Sequence, residues 1–171
     1  MKALIKYGFY GAAASLAFCA MSGVASAADG VARLAGPNPA SPIVEAVTVP
    51  AGYTFYFLSG APASPVDPKA PKGSPKAMGD TPTQTASSLG NLKKTLTALG
   101  LNFGNVVKAT VFMAGDPAKG GEMDFAGMNK AWSKEFGTKE QPNKPSRSTI
   151  KVAGLASPGA LVEIEMIAVK K

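Results

Sequence analysis

The feature that most narrows the possible folds is a stretch of nine residues, NVVKATVFM at positions 105–113, that alternates with period two between two stretches of helical period. Val107, Ala109, Val111 and Met113 fall on one face, and Val106, Lys108, Thr110 and Phe112 on the other, as in a strand. Before it, Leu89, Leu92, Leu96 and Leu99 recur at spacings of three, four and three. After it, Phe125, Met128, Trp132 and Phe136 recur at three, four and four. Each set forms one apolar helix face, which reads as core. Thr81 or Thr83 is expected to cap the first helix and Gly100 to end it; Asp124 caps the second and Gly137 stops it. A strand between two one-faced helices calls for helices laid on a sheet.

The remaining strands follow from composition and turn signals. Residues 44–49 and 53–59 are rich in β-branched and aromatic side chains and are separated by Pro50, Ala51 and Gly52. Residues 148–153 and 161–169 give two more, joined by a turn through Ser157, Pro158 and Gly159. The order β-β-α-β-α-β-β predicts an α+β fold, a mixed sheet with two helices on one face. The other sheet face still carries apolar residues, and oligomerisation is the usual way to cover it in a small domain. At 171 residues the chain holds one domain, over residues 43–171. Residues 28–42, rich in Ala, Gly and Pro, are expected to form an irregular arm. Residues 61–82 carry six prolines and predict a long surface loop with no packed core.

The first residues bear on compartment. Lys2 and Lys6 precede an apolar, small-residue stretch, and Ala25-Ser26-Ala27 fits a small-x-small cleavage site, so residues 1–27 are expected to be an export signal cut near Ala27. Glycines and serines dilute this stretch below what a membrane anchor wants. The expected location is periplasmic or secreted, with no membrane attachment after cleavage. Cys19, the only cysteine, leaves with the signal, and the chain has no histidine. Disulfides, Cys–His or Ser–His–Asp machinery and a His/Cys zinc site are thereby excluded from the mature chain. The formal charge of +7, two units of which leave with the signal, is scattered, with no arginine-rich run to mark a nucleic-acid partner.

Five blocks carry a family resemblance: NLKKTLTALGL, NVVKATVFMAGD, DFAGMNKAW, PSRSTIKVAGL and ALVEIEMIAVKK, in order over about half the chain. From Asn91 onward the sequence resembles the RidA/YjgF family, also called L-PSP endoribonuclease-like. The resemblance implies a chorismate-mutase-like α+β subunit, a homotrimer with clefts between subunits, and hydrolysis of 2-imino or 2-enamino acids to 2-oxo acids and ammonia. It implies no metal and no organic cofactor. The family's carboxylate-binding arginine falls on Arg147, its pocket asparagine on Asn129, its Ser-Gly glycine on Gly60 and its water-orienting glutamate on Glu163. Thr149 stands where a main-chain carbonyl helps hold that water, and Ile43 where a pocket tyrosine is usual.

The residue chemistry agrees with this assignment. A guanidinium grips a carboxylate in a fork of hydrogen bonds. A protonated imine needs only a positioned water, with no covalent nucleophile. Two other readings stand beside it: a non-catalytic trimer that binds small carboxylates or acts as a chaperone, and an endoribonuclease. The missing histidine and the scattered charge weigh against the last.

Overall fold

The computed structural model describes residues 24–26, as backbone, and residues 30–171. Of the expected export signal only strand β1 (Val24–Ser26) falls within this range; the rest, with the cleavage site at Ala27, lies outside the described residues.

Four strands build the main sheet, in the order β4 (Thr54–Pro62), β7 (Val162–Lys170), β5 (Val106–Met113) and β6 (Ser146–Lys151). β7 is antiparallel to both its neighbours, and β6 is parallel to β5. A parallel pair needs a crossover, supplied for β5 and β6 by helix α3 (Phe125–Trp132). Helix α2 (Thr81–Ala98) makes the same kind of connection between β4 and β5, which flank β7. Both helices bury apolar side chains in one cluster with the sheet: Leu89, Leu92 and Leu96 from α2, Met128 and Trp132 from α3, and Ala109, Val111, Ile164 and Met166 from the strands. The protein is thus α+β, a mixed sheet with two helices on one face, as the periodicities predict.

Several local expectations are corrected. The cap of α2 is Asp80, whose carboxylate accepts from the Thr83 amide at 3.0 Å, and not a threonine. Leu99 lies past the last turn of α2 and is exposed, so the leucine stripe buries three members and not four. Asp124 caps α3 as expected, but that helix ends at Trp132. Phe136 reaches the core from the following turn, stacked on Trp132 at 4.4 Å. In β5 a register shift between Val106 and Lys108 turns Val106 to the helix side and Val107 to the other. A bulge adds one residue to one strand and so reverses the alternation beyond it.

The N-terminal region departs more. Residues 44–49 do not form a strand of the main sheet. Val44 makes a single bridge to Ser146, and its amide donates to the Pro145 carbonyl at 3.1 Å. The chain then crosses to a small sheet in which β2 (Ala32–Leu34) lies between β1 and β3 (Ala46–Thr48). The segment expected to be irregular therefore contains a strand, and Val31 beside it is fully buried against Val107 and Val169. The Pro-rich segment is also more ordered than its composition implies. It holds a short helix α1 (Pro75–Met78), capped by Ser74, and a small buried cluster of Ala63, Ala77 and Met78. Small residues let backbones approach closely: a Cβ on Gly73 would lie 2.8 Å from Pro158 Cβ.

Candidate anion-binding site

Arg147 is the second residue of edge strand β6 and pairs with Ala109 of β5, which turns its side chain to the helix face. There it meets one stripe of α3. Phe125, Asn129 and Trp132 are spaced by four and three, so one helix face presents all of them. Arg147 Nη2 donates to Asn129 Oδ1 at 2.7 Å. The guanidinium carbon lies 4.7 Å from the Trp132 ring centroid and 5.9 Å from that of Phe125. Such cation–π contacts are worth about 0.5–2 kcal/mol, more as water is removed. Trp132 is itself fixed, since its indole N–H donates to the Pro42 carbonyl at 3.1 Å.

The guanidinium is held through one of its three nitrogens. Nε and Nη1 are buried and have no hydrogen-bond partner, and Thr149 Oγ1, two residues on, has none either. A buried donor without an acceptor costs on the order of 1–3 kcal/mol, more when charged. An anion that reached these nitrogens would remove that cost. Burial lowers the Arg147 pKa to about 10, which leaves the group cationic at neutral pH. Arg147 opens on a cleft of about 330 Å³ whose other walls include Gly36, Ser41, Ile43, Val44 and Glu45. Ile43 thus shares the cleft with Arg147 and gives it an apolar wall, without the hydroxyl a tyrosine would bring. Larger clefts of about 520 and 460 Å³ flank Gly73, lined chiefly by Ala, Pro and Gly; neither includes Arg147 or Glu163.

Gly60 and Glu163 form a second group. The β4–β7 register shifts between Leu58 and Ala61, so Gly60 sits in a bulge. A Cβ built on Gly60 would collide with the Glu163 carboxylate, so glycine is what lets that carboxylate lie against β4. Glu163 pairs with Phe112, and Glu165 with Thr110, on the face turned away from the helices. Within one chain, therefore, Arg147, Asn129, Thr149 and Ile43 gather on one side of the sheet and Gly60 with Glu163 on the other. The sequence blocks marked Arg147 and Asn129 but not the aromatic bed. Its only trace was the Phe125-x3-Asn129-x2-Trp132 spacing, which also fits an ordinary core stripe.

Fold and site together define a class: a small α+β domain with a half-buried arginine laid on aromatic rings at a sheet edge. The model of the family described as Endoribonuclease L-PSP matches residues 33–170, and the chain belongs to that family, the RidA/YjgF proteins. A RutC family protein of Pyrococcus horikoshii is 35% identical over 136 residues, covering 79% of this chain and 92% of that one. The 2-iminobutanoate/2-iminopropanoate deaminase of Salmonella typhimurium is 36% identical over 107 residues, covering 63% of this chain and 74% of its own. Among solved structures, Escherichia coli TdcF with bound serine superposes with a TM-score of 0.53 at 32% identity, over 72% of this chain and 85% of that one.

Proposed function

We propose that this chain is an exported imine deaminase, which hydrolyses 2-imino or 2-enamino acids to 2-oxo acids and ammonia as a homotrimer. The observation that carries the reading is Arg147: a cation fixed by Asn129 and Trp132, with two buried nitrogens lacking acceptors. The substrate carboxylate is the acceptor they lack. In the reaction a water oxygen adds to the protonated imine carbon while Glu163 takes a proton from that water. Glu163 then returns that proton to the nitrogen of the tetrahedral adduct, the C–N bond breaks, and ammonia leaves as the hydroxyl gives its proton to solvent and the carbonyl forms. Orientation and charge placement supply the acceleration. No histidine or cysteine is required.

Glu163 and Arg147 lie on opposite faces of one subunit, so this reading needs a second chain to bring its Glu163 to the Arg147 cleft. The open sheet face supports such an assembly. Phe57 is 77% exposed there, with Phe55 beside it. Exposed aromatic patches of this kind are what subunit contacts cover. Ile43 favours a second reading, a trimer that binds small carboxylates without turnover, because the cleft has no phenolic hydroxyl to help hold the reacting group.

The test uses 2-imino acids generated in situ by an amino-acid oxidase. Faster ammonia release with the protein, lost in Arg147→Ala, supports the deaminase. Tight binding of 2-oxo acids with no acceleration gives the binding protein instead. RNA cleavage by nuclease-free protein would give the third reading, the endoribonuclease.

A further inference from the structure

The Arg147 cleft has a second charged wall. Val44 bridges Ser146 in parallel, and one residue further along each chain stand Glu45 and Arg147. Both line the same cleft of about 330 Å³. Backbone bonds on each side fix this stretch: the Val44 amide to the Pro145 carbonyl at 3.1 Å, and the Glu45 amide to the Leu34 carbonyl at 2.9 Å. Opposite charges so placed on neighbouring chain segments would ordinarily pair. Here they do not. The guanidinium turns to Asn129 and the rings of α3, while the Glu45 carboxylate turns towards Gly36, where an added Cβ would lie 3.3 Å from its Oε1. Among the described residues Glu45 forms no salt bridge and its carboxylate accepts no hydrogen bond.

We propose that Glu45 is a specificity-determining residue, which makes the cleft prefer a zwitterion, carboxylate and protonated nitrogen in one small molecule, over a plain carboxylate. This rests on the reading of Arg147 as a carboxylate anchor. The consequence for the reaction is direct. A protonated 2-imino acid carries both charges, and the 2-oxo acid formed from it carries only the negative one. Hydrolysis removes the cation that Glu45 attracts and leaves an anion that Glu45 repels. The same side chain therefore draws substrate in and helps product out. A positive side of the cleft alone would bind product as well as substrate.

Trp132 is the only tryptophan in the sequence and lies under the guanidinium, so its fluorescence reports occupancy of the cleft. Alanine and pyruvate are stable probes that match the two charge states at equal size. In the full-length mature protein, Glu45→Gln is expected to weaken alanine binding and tighten pyruvate binding, each by roughly two- to fivefold, the range of an exposed charge pair. Glu45→Asp, which keeps the charge, should retain the order of the parent. Shifts of opposite sign from one exposed, nearly isosteric change are not what lost packing or misfolding produces. If Glu45→Gln moves both ligands equally, or neither, the proposal is overturned while the Arg147 anchor stands. If Arg147→Ala binds both ligands as the parent does, the anchor itself fails and the proposal with it. Absence of any fluorescence change with either probe, up to its solubility limit, also overturns it.

Discussion

Arg147 has five N–H donors in a planar fork, and the chain uses one nitrogen, Nη2, to hold it in place. Replacing it with lysine keeps the charge but loses both the fork and the flat stacking surface that lies 4.7 Å from Trp132. Arg147→Lys is therefore expected to lose about 1.5–3 kcal/mol of carboxylate affinity, the worth of a charged hydrogen bond, as read by calorimetric titration with pyruvate. The pH response follows from the lowered pKa. Burial depresses it to about 10, so the cation is fully present well below that value and is lost as the pH rises through it. Anion affinity should stay level from about pH 6 to pH 9, because a group with a pKa near 10 is protonated throughout that range. A fall between pH 6 and pH 8 would show that another group governs binding. At this scale the sequence was readable where identity alone decides, since a motif block names an arginine and an asparagine. It was silent on Trp132, because an aromatic at helical spacing looks the same beneath a guanidinium as in the middle of a core.

The strand that carries Glu163 is tied to the helix layer by a residue with no periodic signal. Gln84 is 1% exposed on α2. Its amide nitrogen donates to the carbonyls of Gly79 and Gly159 at 3.1 and 3.0 Å, and its oxygen accepts from the Leu161 amide at 2.8 Å. It thus joins the Pro-rich segment, α2 and the turn that leads into β7, the strand bearing Glu163. Gln84→Ala would leave those backbone groups without partners, at about 1–3 kcal/mol for each that water cannot reach. A drop of several degrees in Tm is expected, measured by thermal unfolding; an unchanged Tm would remove Gln84 from this role. Gly60→Ala makes the complementary prediction in β4. Its new methyl must displace the Glu163 carboxylate, so ammonia release should fall steeply with little change in Tm. The helices and β5 were legible because periodicity is a property of many residues at once. The small sheet and the ordered Pro-rich segment were not: three-residue strands have no period to detect, and Gly73 against Pro158 and Gly159 is a backbone contact that composition does not encode.

For the whole molecule, the proposed reaction makes assembly a condition of activity and not an addition to it, because Arg147 and Glu163 lie on opposed faces of one sheet. Phe57→Asp places a charge on the open sheet face, 77% exposed in the single chain, and should yield monomers by light scattering. Those monomers should keep the Trp132 emission of the parent and lose deamination. A stricter test separates a shared site from a mere need for assembly. Arg147→Ala and Glu163→Gln are each expected to be inactive alone, one lacking the anchor and the other the water-holding carboxylate. Mixed by unfolding and refolding together at equal concentration, they are expected to form rings in which each cleft takes Arg147 from one subunit and Glu163 from its neighbour. Random assembly then gives both native residues to about a quarter of the clefts, since each contributing chain is the suitable variant half the time in a closed ring of identical contacts. Activity should rise from near zero towards that fraction of the parent's. If a single subunit supplied both residues, every cleft in the mixture would still lack one of them, and no activity would return whatever the ratio of the two variants.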